Sequence, residues 1–420
     1  MFSVEPAPMF LASRFVWGLL FAMMSTVSMI YQVEVAHLSP LELVLVGTAL
    51  EGSAFLFEVP TGVIADRYSR KRSVVIGFAV IGSSFVLAGS FAIFEVLALA
   101  SFVLGFGWTC LSGAHEAWLA DEVGVERASR LYLHGQRRAS YGSFLGIGAA
   151  MAIGSIDVRY PLLLSGLGFM LWAIAAGIGM RETGRAPSQH ARESALAGMR
   201  RTFGVGARRV RGSRTLMLLM AVGVVVGTFS EGYDRLATAH LLRSFDFPRP
   251  FDTEPVVVFG AMAALASALS AFVLRIAEAR IDPTRTRDLG RTLSFLCLAI
   301  AGLALCFAAT DAVWVAIGIH VALHPLRSVA DPLTTAWVNQ HATPEARATV
   351  LSMHGQADAL GQLAGGPIVG LVAETLTLRL ALATTGLLLA PAVWLYCRAQ
   401  ANQLHDDAHA PGHTVPQERK

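Results

Sequence analysis

Charge is scarce in this chain. Only 15% of its 420 residues are Asp, Glu, Lys or Arg, against roughly 25% in an ordinary soluble domain. Cysteine is scarce too. The four present, Cys110, Cys297, Cys306 and Cys397, stand in apolar stretches without paired spacing, which excludes a disulfide framework and a zinc site. No strand–glycine loop–helix pattern for nucleotides occurs, so ATP is excluded as the energy source and no cofactor is expected. No His/Asp/Ser constellation and no large soluble domain occur either, which argues against a polytopic membrane enzyme or receptor. A net charge of +3 gives no basis for nucleic-acid binding. The first apolar run is too long for a signal-peptide core, so no cleavable signal is expected.

Apolar sequence is abundant: 54% of residues are hydrophobic and mean hydropathy is +0.55. A single soluble core stops growing near ~250–300 residues, so lipid is the expected solvent. Spanning the hydrocarbon takes ~20 apolar residues. Twelve such stretches are expected, near 11–36, 40–65, 72–93, 95–120, 132–155, 160–181, 215–241, 254–279, 291–309, 312–338, 349–373 and 378–398. Basic residues orient them. With the N-terminus inside, inner connections hold 23 Lys and Arg and outer ones hold 4 (Arg159, Arg243, Arg249 and Arg379). Both termini are therefore expected in the cytoplasm. Residues 181–214 carry nine arginines against Glu182 and Glu193, a net +7. The segment reads as a headgroup-facing linker, 182–213, between halves 1–181 and 214–400, with 401–420 a cytoplasmic tail.

A repeat supports two halves. Arg127-Ala128 through His134-Gly135-Gln136 is similar to Arg347-Ala348 through His354-Gly355-Gln356, 220 residues on, and Ala117-Trp118 answers Ala336-Trp337. Tyr31 with Ala36-His37-Leu38 answers Tyr233 with Ala239-His240-Leu241, and Ser13-Arg14 and Ser213-Arg214 are read as preceding segments 1 and 7. Parallel six-segment repeats place a two-fold axis along the membrane normal and a site between the halves.

After segment 2 the chain reads Pro60-Thr61-Gly62-Val63-Ile64-Ala65-Asp66-Arg67-Tyr68-Ser69-Arg70-Lys71-Arg72. Gly62 permits close backbone approach. Asp66 at a helix end can accept charge-assisted hydrogen bonds, and Arg70 follows one turn on. This string resembles the major facilitator superfamily signature G-x-L-A-D-R-x-G-R-K/R, with Ser69 where the family has glycine, a change expected to cost turn freedom. The resemblance covers nearly the whole chain and implies an all-α membrane fold of twelve transmembrane helices in two pseudo-symmetric six-helix bundles. It also implies a conformational latch of Gly62, Asp66, Arg67, Arg70 and Asp121 that favours the outward-facing state. The wording from Ser112 to Glu122 resembles bacterial drug-efflux members, which implies a bacterial inner membrane. Segment 4, however, carries His115-Glu116 where proton-coupled exporters have a buried arginine. Glycines 142, 146, 148 and 154 in segment 5 and 361, 365, 366 and 370 around Pro367 in segment 11 suit close packing or a hinge.

An ionisable side chain at membrane depth is a functional candidate. Glu51, Glu116, Glu231, Asp234 and Asp358 are the candidates for proton coupling. Glu51 leads because segment 2 offers it no neighbouring base, while Arg235, four residues after Glu231, has ion-pair spacing. His320, His324, Arg327 and Asp331 form one polar stripe on segment 10 beside Pro325 and Pro332, which should face a water-filled path; a structural Arg327–Asp331 pair is the alternative. They join Gln356, Gln362 and Pro367 as candidates for a central cavity or gate. The two histidines alone do not make a metal site. The expected function is secondary active transport: proton-coupled efflux of small apolar or amphipathic compounds, as an antiporter conferring drug resistance. Proton-coupled or facilitated import is the alternative. The expected partners are a small-molecule substrate, protons and membrane lipid, with the protein a monomer.

Overall fold

The computed structural model describes residues 4–183, 204, 206–250, 253–281, 286–343 and 346–409, and among them the regular structure is entirely helical. The greater part of the predicted linker, residues 184–203 and 205, lies outside the described residues. In chain order the helices are α1 (Pro6–Ile30, continued by a π-turn to Val35), α2 (Pro40–Arg67), α3 (Arg70–Ser90), α4 (Phe94–Leu111), α5 (Ala114–Val123), α6 (Val125–Gly154) and α7 (Arg159–Gly179). The second half holds α8 (Arg214–Ser244), α9 (Pro255–Arg280), α10 (Thr286–Ala309), α11 (Val313–His341), α12 (Arg347–Thr375) and α13 (Leu378–His409).

Local signals set several starts. Ser39 makes a capping box with Glu42 ahead of α2, Ser69 caps α3, Ser213 caps α8, and prolines open α1, α2 and α9. Each cap satisfies backbone N–H groups that a helix start leaves unpaired. The fourth expected span is broken in two, because Gly113 adopts φ 71° between α4 and α5. Glycine bears that conformation without the steric cost a Cβ adds.

Ten stretches are long and apolar enough to cross a membrane, with α4 and α5 counted together. The other two expected spans, α6 and α12, have 30 and 29 residues but are interrupted by polar groups. Arg137 and Arg138, counted above with an inner connection, lie well inside α6. Both helices press small residues onto a neighbour. A Cβ on Gly142 or Gly146 of α6 would strike the Phe15 or Leu19 carbonyl of α1, and one on Gly361 of α12 would strike the Val224 carbonyl of α8. These glycines are packing surfaces first, although nothing lies near Gly148.

The pairing α1–α6 in one half recurs as α8–α12 in the other, which is the n to n+6 correspondence the repeat implied. Trp118 and Trp337 occupy matching places. Both are fully buried, and each donates its indole N–H, to Arg181 O at 2.6 Å and to Gln403 Oε1 at 2.9 Å. Two proposed correspondences fail. Ser13 lies inside α1 and bonds to Met9 O, whereas Ser213 precedes α8. His37 lies beyond its helix with φ 50°, whereas His240 is within α8. Short sequence matches of that kind do not survive a change in where the helix starts.

Alternation of the helices puts the start of α1 and the end of α13 at one face, the terminal face, and the α2–α3 junction with them. The halves meet mainly through α2 against α12 and α6 against α9. Toward the opposite, far face, Arg243 donates to Leu38 O at 2.7 Å, and Leu41 N–H donates to Glu374 at 3.3 Å. The α6–α9 approaches, Gly154 on Val256 and Gly260 on Met151, also lie toward that face.

Candidate functional site

At the terminal face Arg70 reaches two acids from one position. It sits 3.0 Å from Asp66, one turn back, and 2.6 Å from Asp121 on α5, and it donates to Ala117 O at 3.0 Å. The expected trio is therefore assembled within one half, while the seam between halves is tied toward the far face. Arg67 is exposed and stands over the Tyr68 ring at 5.9 Å. Two expectations are corrected. A Cβ on Gly62 would meet nothing within 4 Å, so no backbone approaches there. Ser69 has φ −169°, extended backbone open to any residue, so it costs no turn freedom. Its hydroxyl instead accepts from Arg72 N–H at 3.0 Å and donates to Glu182 at 2.6 Å.

On the seam, Glu231 of α8 is buried with 3% of its side chain exposed and is paired to Arg235 at 3.2 Å. Gly47 of α2 makes room for this pair, since a Cβ there would strike both Glu231 Oε1 and Arg235 Nε. Glu51 follows Gly47 by one turn and lies within electrostatic reach of Glu231, Arg235, Asp358 and Glu58. Glu51 thus has a base nearby after all, supplied from the other half, which reading α2 alone could not reveal.

The second half holds an open cavity of about 410 Å³, lined by Ser230, Asp234, Arg327, Asp331, Thr334, His354, Asp358, Gln362 and Tyr396 together with apolar residues such as Val222, Val226, Phe229, Ile300 and Leu389. Arg327 grips Asp234 with two nitrogens at 2.5 and 2.8 Å and also donates to Ser230 at 3.2 Å. The alternative Arg327–Asp331 pair is not made. The nearer acid comes from α8, and Asp331 faces the cavity. Asp358 accepts from Gln362 at 2.7 Å. Three aspartates against one arginine give this otherwise largely apolar lining a net acidic character. The polar residues are dispersed along α8, α11 and α12 and gather only on folding.

The remaining candidates fall elsewhere. His320 bonds through Nδ1 to the Tyr233 hydroxyl at 3.0 Å, and with His324 it lines a smaller hollow of about 130 Å³ between α1, α8, α9 and α11. No group of three potential metal ligands occurs among the described residues. Gln356 leaves the cavity group and donates to Glu58 of α2 at 2.7 Å, a hydrogen bond between the halves. Pro367 lies inside the continuous α12, and Pro325 and Pro332 lie inside the continuous α11. Glu116 stands 3.8 Å from Arg14.

A family model described as Major Facilitator Superfamily matches residues 7–324. The chain belongs to the major facilitator superfamily. This superfamily member is a multi-pass membrane transporter, and solved transporters share its fold. A point mutant of the nucleoside transporter NupG superposes with TM-score 0.76 at 12% identity, covering 94% of this chain and 100% of that one. A bacterial homologue of the human lysosomal transporter Spinster, inward-facing and unoccupied, gives 0.71 at 15% identity, covering 96% and 98%. A POT family transporter in complex with 5-aminolevulinic acid gives 0.67 at 13%, covering 94% and 96%. In sequence, the uncharacterized MFS-type transporter YxaM of Bacillus subtilis (strain 168) is 27% identical over 128 residues, and the match spans 30% of this chain and 31% of that relative.

Sequence reasoning missed part of this transporter's polar interior. Arg14 lies inside α1, within a membrane span, and the rule that intramembrane charges mark function would have found it. Gly47, Ser230, Tyr233 and Tyr396 carried no such signal, because a glycine or hydroxyl acquires meaning only from what folding sets against it.

Proposed function

We propose that this transporter is a proton-coupled secondary exporter of small amphipathic compounds working by alternating access, in a bacterial inner membrane with both termini in the cytoplasm. The observation that carries this reading is the set of acids at membrane depth: Glu51 beside the Glu231–Arg235 pair on the seam, and Asp358 in the cavity. A carboxylate there can hold or release a proton according to its access to water, and the seam is where two halves that rock would change that access. Asp234 is the weaker candidate, being held by Arg327, and Glu116 is shared with Arg14. The Asp66–Arg70–Asp121 cluster serves as the conformational latch, a bias on an equilibrium rather than a part of the fold. Small solute and protons are its partners, in a monomer surrounded by lipid.

The test uses proteoliposomes under an imposed proton gradient, with a panel of amphipathic dyes and nucleosides as probes. Gln or Asn variants at Glu51, Glu231, Asp234 and Asp358 are compared for uphill transport and for solute exchange. A coupling residue loses the first and keeps the second. If all four variants concentrate solute like the wild type, coupling through these acids is wrong. A second reading, uptake of a small solute by proton symport, is favoured by the three aspartates and one arginine in the lining of the cavity. Accumulation driven in the same direction as proton entry selects it over export.

A further inference from the structure

The smaller hollow, about 130 Å³, lies on the seam. Ser25 and Thr26 of α1 bound it from the first half, and Thr238 of α8 with His320 and His324 of α11 from the second. Five polar side chains around a space large enough for several waters suit a hydrated site, not a packing void. Along the helices it stands toward the far face. Arg243, little more than one turn after Thr238 on α8, is one of the contacts that tie the halves there. Parting the halves at that contact exposes the hollow to the far side. The larger cavity extends the other way, from Asp234 toward the terminal face past Val222 and Thr334.

Two histidines stand between the two spaces. His320 is held: its Nδ1 shares a hydrogen bond with the Tyr233 hydroxyl at 3.0 Å, and its ring lies against Tyr233 and Phe307. His324, one turn on, is exposed and makes no hydrogen bond among the described residues. Its ring meets that of His320 edge to face, with centroids 6.4 Å apart. A histidine at membrane depth with a polar opening and no fixed partner can gain and lose a proton. The charged groups within electrostatic reach of it are Asp234 of α8 and Arg327 of its own helix, with His320 beside it. From α1 and α9 only hydroxyl and apolar side chains line the hollow. Asp234 and Arg327 are the bidentate pair that lines the larger cavity. One ion pair is therefore shared by a far-side histidine and a terminal-side cavity.

We propose that His324 is a proton-binding residue of the transport cycle, loaded from the far side when the seam at Arg243 parts. A ring nitrogen takes one proton from water in the hollow, and the ring becomes an imidazolium. Asp234 is the base that receives this proton when the seam closes, and it releases the proton to cavity water toward the terminal face. His324 ends neutral and no other covalent bond changes. The imidazolium also biases the equilibrium between states. It shares the closed hollow with Met29 and Ile30 of α1, and a charge in so small a space is costly, so protonation favours the hydrated, far-open state. The inference rests on the proton-coupled reading for its biological meaning, because it adds the group through which protons enter. The binding event is tested without solute.

The experiment uses full-length protein in nanodiscs with its native cysteines replaced and spin labels at Ile156 and Ala312, exposed far-face positions in the two halves. The distance between the labels is measured by pulsed electron resonance at about pH 8 and about pH 5, the range in which a histidine changes charge. Acidification should raise the population of the longer distance about fivefold or more, the lower end of ordinary coupling. His324→Gln should hold the shorter distance at both pH values, and His324→Arg, a fixed charge, should hold the longer one. A merely structural role does not yield opposite states from two substitutions at one site. Should His324→Gln fail to stay monodisperse, wild-type protein is treated with diethyl pyrocarbonate and mapped by mass spectrometry, and the pH response must fall in proportion to modification of His324. No pH response, a response unchanged in His324→Gln, or one that tracks modification of other histidines overturns the proposal. A response kept in His324→Gln but lost in Glu51→Gln removes His324 and leaves the coupling acids standing. A response lost in His324→Gln, in a protein that concentrates no solute in proteoliposomes, keeps His324 as the proton site and refutes coupled transport.

Discussion

Removing either partner of the Glu231–Arg235 pair should have unequal consequences, and the inequality comes from what surrounds each. Glu231 has 3% of its side chain exposed and Arg235 has 21%. Taking away the base in Arg235→Met leaves a carboxylate shut against Gly47 and α12 without a counter-charge, a loss of about 3–5 kcal/mol for a broken buried pair. Taking away the acid in Glu231→Gln leaves a partly hydrated guanidinium with Glu51 within electrostatic reach, so about 1.5–3 kcal/mol is expected, the range of one charged hydrogen bond. The double variant Glu231→Gln/Arg235→Met removes both charges and should return to within about 1 kcal/mol of the wild type, because replacing a buried pair whole is near neutral. The four proteins are compared in mixed micelles by denaturant-dependent loss of the monodisperse peak. If Arg235→Met is as mild as Glu231→Gln, or if the double variant is worse than both, the pair is not a desolvated unit and the reasoning fails. Adding Glu51→Gln to Glu231→Gln should restore a larger loss, since the substitute partner is then gone.

Other perturbations follow from the same geometry. Gly47→Ala should destabilise by about 1–3 kcal/mol, the usual cost of overpacking, while Gly62→Ala, in open space, should change stability by less than about 0.5 kcal/mol; the same unfolding assay compares them. Asp66→Asn should lower transport several-fold while expression and monodispersity stay near wild type, and wild-type initial rates in proteoliposomes would reject the latch. Single cysteines at Asp246 and Asp311, introduced after the native cysteines are replaced by serine or alanine, should label from outside intact cells; labelling only after the membrane is opened would invert the topology.

Composition and periodicity determined the membrane class, the number of spans and the pairing of the halves. These depend on counts along the chain, of apolar residues per span and basic residues per connection, and the solvent acts on those directly. The resemblance of the motif after α2 to the superfamily signature named Asp66, Arg70 and Asp121 in advance, and the fold brings the three together. Which charge meets which was decided by tertiary structure. Arg327 stands four residues from Asp331, the spacing of a helical pair, yet it holds Asp234 ninety-three positions away, since an arginine is long and a bidentate partner across a helix interface offers better geometry than one on its own helix. Gln356 gained Glu58 and Glu116 gained Arg14 from other helices in the same way, and Glu51 came within electrostatic reach of Arg235. Gly62 and Gly47 are the same residue type on one helix, and only the second has a neighbour against it. Sequence sets how strongly each group resists lipid, while the packing of one half on the other sets which partner relieves it.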